Sequence, residues 1–160
     1  MDAIERKELI ALYGRGYDDL IECLDGIPKE IWQFKPEPSE WSVHEIIVHL
    51  ADSETNSALR ARLLMTEPGK TLMAYDQDLW VGALDYHSQS WQDALEGLKW
   101  ARKTTFALLQ TVDDNLWENS GVHPEFDEPY TFELWLKIYS AHIPAHIDQI
   151  QQNYKIWKSR

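Results

Sequence analysis

Four stretches of this chain repeat apolar residues every three to four positions, and no stretch alternates with a period of two. A chain patterned in this way buries its apolar surface by packing helix on helix. In the first stretch Leu9, Tyr13, Leu20, Leu24 and Ile27 form the stripe, and Gly16 on the same stripe admits a close neighbour. Gly26-Ile27-Pro28 ends it, and PKEIW reads as a short extra turn with Pro28 near its start. The polar, proline-containing FKPEPSE cannot be regular helix. Ser42 then serves as N-cap of a second helix, with Glu45 completing a capping box and Trp41 and Ile46 placed for a hydrophobic staple. This helix is expected to run to about Thr66, where Glu67-Pro68-Gly69 stops it.

An irregular segment follows from Lys70 to roughly Tyr86, holding Tyr75, Asp76, Asp78 and Trp80. Irregular segments of this length inside a compact domain carry function or a short helix. The third helix is expected from about His87 to Val112, with Trp91, Leu95, Leu98, Ala101, Thr105, Leu108 and Val112 on one stripe. Asp113-Asp114-Asn115 breaks it. ENSGVHPEFDEPY connects to Thr131, the cap of a fourth helix whose stripe is Phe132, Trp135, Tyr139, His142, His146, Ile150 and Trp157. There is no internal repeat, no low-complexity tract and no credible strand pair. The expectation is an all-α, four-helix bundle with short extra helical turns in its connections, residues 1–160 forming a single domain.

Charge and cysteine content limit the partners. A formal net charge of -12, spread along the chain, repels phosphate backbones, and no basic stripe opposes it, so nucleic acid is not expected as a partner. No run is long enough to cross a membrane, and the charged amphipathic start lacks a signal peptide's apolar core. With Cys23 alone, no internal disulfide forms, and a cytoplasmic location is expected. Cys23 lies on or beside an apolar stripe and reads as a small core residue.

The histidines are the main clue to function. His142 and His146, at i, i+4, share the inward face of the fourth helix, and His49 lies among Ile46, Leu50 and Ser53 on the second. With six histidines in the chain, one such pair arises readily by chance, so HxxxH alone says little. Two adjacent imidazoles on an apolar face nevertheless need partners for four nitrogens, and a metal ion takes one from each. Three imidazoles with a vacant position make a common catalytic metal site. Pro144, between the pair, either kinks the helix or ends it. Asp52, three residues after His49, is a candidate to orient an imidazole or handle a proton. Asp76 and Glu54 are similar candidates, with Tyr75 and Trp80 as pocket walls. His44, His87 and His123 are expected at the surface. No phosphate loop, GxSxG turn or CxxC pair offers rival chemistry.

The segments WSVHEIIVHLADSE, YDQDLW and YSAHIPAHIDQI together resemble the DinB/YfiT-like superfamily, in order and over nearly the whole chain. HLADSE and HxPAHxxQI are the most specific parts. The resemblance implies a four-helix bundle, often a homodimer, holding a divalent metal such as nickel or zinc on His49, His142 and His146. Iron and manganese are further options for that ligand set. It also implies either a metal-dependent hydrolase or a transferase using a low-molecular-weight thiol, acting on a small-molecule substrate. The alternative is a non-catalytic, stress-related or binding bundle with a polar histidine cluster or vestigial metal site.

Overall fold

Each of the four stripes becomes a long helix in the computed structural model, which describes residues 1–160. They are α1 (Ala3–Asp25), α2 (Val43–Thr66), α4 (Trp91–Leu109) and α5 (Phe132–Lys158), and a short α3 (Gln77–Ala83) lies in the connection after α2. Three-residue 3-10 turns at Lys29–Ile31, Tyr86–Ser88 and Asp114–Leu116 are the extra turns of the connections. α2 packs mainly on α4 and α1 on α5, and contacts of α2 with α5 and of α1 with α4 close the bundle. No helix is long and apolar enough to cross a membrane.

The helix ends follow local chemistry. Ser42 Oγ accepts the Glu45 N–H while Glu45 Oε2 accepts the Ser42 N–H at 2.8 Å, so the capping box forms as read. The third long helix starts later than expected: Ser90, not His87, caps it by accepting the Asp93 N–H. It also stops at Leu109, short of Val112. α5 continues through Pro144 without a break, and this keeps His142 and His146 on one helix.

One absence expected from the sequence is overturned. Ser120–Gly121 pairs antiparallel with Tyr130–Thr131, and Thr71 bridges to Val122. Two-residue strands are too short to display alternation. Gly121 permits the joining of the two irregular connections, because a Cβ there would lie 2.8 Å from the Lys70 carbonyl oxygen.

The core has two apolar ends with a polar level between them. One end gathers Leu20, Leu24, Ile46, Leu50, Leu98 and Ile150, and the other gathers Tyr13, Leu64, Trp117, Phe132 and Trp135. Where the chain passes from one to the other, Glu54 on α2, Arg102 and Thr105 on α4 and Ser140 on α5 are all buried. Gly16 makes room for this level on α1: a Cβ there would meet Arg102 Nη2 at 2.7 Å. A polar level in a core has to be internally hydrogen-bonded, and the candidate site adjoins this one.

The start of α2 also carries an acid-sensitive contact. Burial raises the Glu45 carboxyl pKa, but the Ser42 N–H, the Lys35 ammonium at 2.9 Å and the nearby His87 outweigh it and hold the pKa below its ordinary value. The unfolded chain therefore binds this proton more readily. Stabilisation from Glu45 is complete above the ordinary carboxylate range and is lost as pH falls through the lowered folded pKa. Glu45→Gln is expected to melt below wild type near neutral pH, with the deficit shrinking as pH falls below the ordinary carboxylate range, as read by thermal melts from neutral into acid.

Candidate metal centre

The bundle brings His49 of α2 to His142 and His146 of α5. One ligand atom from each lies within 4.8 Å of the others, and the ring centroids are 4.9 to 5.6 Å apart. The hydrogen-bond network fixes the tautomers of two of them. Glu54 Oε1 accepts the His142 Nδ1–H at 3.1 Å, and Gln149 Oε1 accepts the His146 Nδ1–H at 2.9 Å. Each bond leaves Nε2 as a free lone pair, the arrangement metal-binding imidazoles adopt.

His49 decides whether the site fits a cation. It is buried, and neither of its ring nitrogens has a hydrogen-bond partner. Leaving such groups unsatisfied is costly, and a metal ion between the three rings would take up one of them. Burial, with the neighbouring His146 and His142, pushes the His49 pKa down to about 2. Burial and His142 push His146 down to about 4. At neutral pH both rings are therefore neutral donors. The donor set fits a first-row divalent cation.

The surroundings hold these rings in place. The Trp41 ring lies 4.6 Å from His49 and stacks on His146 at 6.2 Å, while Tyr139 meets His142 edge-on at 5.6 Å. Glu54 is fully buried, and the same oxygen that takes His142 accepts from Arg102 Nη1 at 2.8 Å. Arg102, itself 2% exposed, also donates to the carbonyls of Tyr139 at 3.1 Å and Tyr13 at 2.6 Å. Burial raises the Glu54 pKa, but the Arg102 charge and the hydrogen bonds from His142 and Arg102 together outweigh it and hold the carboxyl below its ordinary value. Glu54→Gln keeps the shape and removes the charge on this acceptor. It is expected to weaken zinc binding about 10- to 100-fold, measured by chelator competition.

The other residues expected at the site are placed as follows. Asp52 does not orient a histidine; its carboxylate accepts the Tyr86 hydroxyl at 2.5 Å. It projects from α2 toward the Tyr86–Ser88 turn, while Glu54 projects toward α5. Asp76 is exposed and caps α3 by accepting the Leu79 N–H. It lines, with Tyr75 and His142, a cavity of about 480 Å³ beside the histidines. Trp80 packs at a tilt against Tyr75, with ring centroids 4.3 Å apart, without lining that cavity.

The three remaining histidines are not simple surface residues. His44 is 6% exposed and its Nε2 is 2.9 Å from the Gln89 carbonyl; His123 is 3% exposed and stacks on Tyr130 at 5.2 Å. His87 is partly exposed and shares a 2.8 Å hydrogen bond with Ser42 Oγ. His44 and His87 meet their partners where the Tyr86–Gln89 connection folds back on the start of α2, and His123 packs against Phe126 and Tyr130 of its own connection. Arg102 and Gln149 have no place among the candidates read from the sequence, and Trp41, read there as part of a hydrophobic staple, also lies against His49 and His146. For Arg102 a signal existed: it lies four residues after Leu98 and three before Thr105, on the buried face.

Residues 12–150 match the DinB superfamily. This chain belongs to that superfamily. Among its relatives, the Bacillus subtilis protein named "Putative metal-dependent hydrolase YfiT" is 31% identical over 70% of this chain and 63% of its own length. A similarly named protein of Bacillus licheniformis is 28% identical over 72% of this chain and 65% of its own. The matched region thus spans just under two thirds of either relative. The solved structure of Bacillus subtilis YfiT, which has an unusual four-helix bundle topology, superimposes with a TM-score of 0.88 at 24% identity, covering 97% of this chain and 89% of that one. The DinB superfamily bundle is thereby the fold of this chain.

Proposed function

We propose that this DinB superfamily protein is a metal-dependent hydrolase of a small-molecule substrate, with nickel or zinc held by His49, His142 and His146. The observation that carries the reading is the convergence of three imidazoles around His49, whose buried nitrogens have no partner within the protein. The names of the Bacillus relatives favour hydrolysis over thiol transfer. When bound, such a cation supplies Lewis acidity, the property that makes water a competent nucleophile at neutral pH.

The chain's own residues have defined tasks in this reading. Glu54 and Gln149 keep the protons of His142 and His146 on Nδ1, so that Nε2 is left with the free lone pair. Arg102 keeps Glu54 ionised. Trp41 and Tyr139 block rotation of the rings they touch. The cavity beside His142 is of a size that holds a small ligand, and Ser53, Tyr75 and Tyr139 carry hydroxyls on its wall.

Two measurements test the reading in sequence. Elemental analysis of untagged protein, purified without added metal, is expected to show nickel or zinc at about one ion per chain. Metal-loaded protein is then screened on ester and amide substrates, and on electrophiles with added thiol, with His146→Ala as control. Hydrolysis lost in His146→Ala supports the reading. Turnover that needs the thiol converts it to a transferase, and activity indifferent to His146→Ala ends it. A metal-free protein without turnover returns the chain to a non-catalytic bundle.

A further inference from the structure

Arg60 is a buried cation without an acid. It projects from α2 and is 7% exposed. Its contacts are a carbonyl and a phenol: Nε donates to the Met73 carbonyl at 2.9 Å, Nη2 donates to the same oxygen, and Nη1 donates to Tyr139 Oη at 2.9 Å. The other buried charged side chains are paired, Glu45 with Lys35 and Glu54 with Arg102, whereas no carboxylate lies within 4.0 Å of Arg60. A guanidinium has five N–H groups, and these bonds leave one free on each terminal nitrogen. Burying a charge without its opposite is expensive, and no carboxylate of the fold is paired with this one. His123 adds no second cation beside it, since burial and then the Arg60 charge itself push its pKa down.

Arg60 lines the same cavity of about 480 Å³ as His142. We propose that this cavity binds a small-molecule carboxylate, its two oxygens on the free N–H groups of Arg60 and its body extending toward His142. One N–H on each terminal nitrogen can serve the two oxygens of a carboxylate, a pairing an ammonium cannot reproduce. The exposed acids Asp76 and Glu125 line the cavity as well. They add a second requirement, a cationic group on the same ligand, so a zwitterion is preferred over a simple anion. The overall charge of -12 works in the same direction. The binding step needs no metal; only the fate of the ligand at the histidines rests on the hydrolase reading.

The test titrates glycylglycine, a zwitterion with a terminal carboxylate, and its amide into metal-free protein, following NMR signals of Tyr75, Tyr139, His142 and the Arg60 guanidinium. Glycylglycine is expected to bind at least about tenfold more tightly than the amide, the size of one charge-assisted contact. Its addition moves the Arg60 N–H resonances, and the amide leaves them in place. Arg60→Lys, which keeps the charge and loses the fork, reduces the preference about tenfold. Asp76→Asn with Glu125→Gln weakens glycylglycine and not acetate. Equal binding of dipeptide and amide, binding of neither, or unmoved Arg60 resonances overturns the proposal, and so does a preference that survives Arg60→Lys.

His49→Ala separates this inference from the hydrolase reading. A preference that persists in His49→Ala upholds the Arg60 site even if no metal ever binds. A preference that requires both His49 and added zinc places the carboxylate on the metal and overturns the assignment to Arg60.

Discussion

Arg102→Ala is expected to destabilise the protein by about 3–5 kcal/mol, a large part of the roughly 5–15 kcal/mol that holds a domain together. The substitution leaves the Glu54 carboxylate fully buried without its cation and strips the Tyr13 and Tyr139 carbonyls of a donor. The loss of the ring stack, with the guanidinium 3.7 Å from the Tyr13 ring centroid, adds to the cost. Urea denaturation measures the change. Most of this cost comes from the stranded charge rather than from the net worth of the ion pair. The double variant Glu54→Leu with Arg102→Met should therefore recover much of the stability, while losing the acceptor that fixes the His142 tautomer. If Arg102→Ala and the double variant are equally unstable, packing rather than charge dominates this level of the core.

The second large effect concerns metal. Adding zinc to wild-type protein is expected to raise its stability by about 4 kcal/mol when free metal exceeds its Kd about a thousandfold, because a ligand that binds only the folded state stabilises it by mass action. His49→Ala should abolish that rise. The variant itself should fold, since it removes two buried nitrogens that no protein group satisfies. Thermal melts of both proteins with chelator and with zinc give the comparison. A zinc-dependent rise of equal size in His49→Ala would show that the cation sits elsewhere and would remove the basis of the hydrolase reading.

These two predictions concern side chains that differ in how readily the sequence reveals them. His142 and His146 are four residues apart on one helix, so their shared face follows from helix geometry. His49 could be added because its apolar neighbours Ile46 and Leu50 mark the buried side of α2. The carboxylate that serves His142 was harder to choose. Asp52 and Glu54 lie two residues apart, so they point about 200° apart around α2. Only the packing of α4 and α5 against α2 sends Glu54 to His142 and Arg102, and Asp52 to Tyr86. The same limit hid the burial of His44, because a connection 45 positions away in sequence meets it.

Periodicity, caps and breakers act between residues a few positions apart, so the chain alone specifies the four helices, the Ser42–Glu45 cap and the inward histidine stripe. Assembly of the bundle chose the rest: the meeting of His49 with the α5 pair, the ion pair beneath it, and the cavity joining His142 to Arg60. Those contacts cross 48 to 97 positions of chain. Their existence depends on the relative rotation and depth of packed helices, which no local pattern encodes.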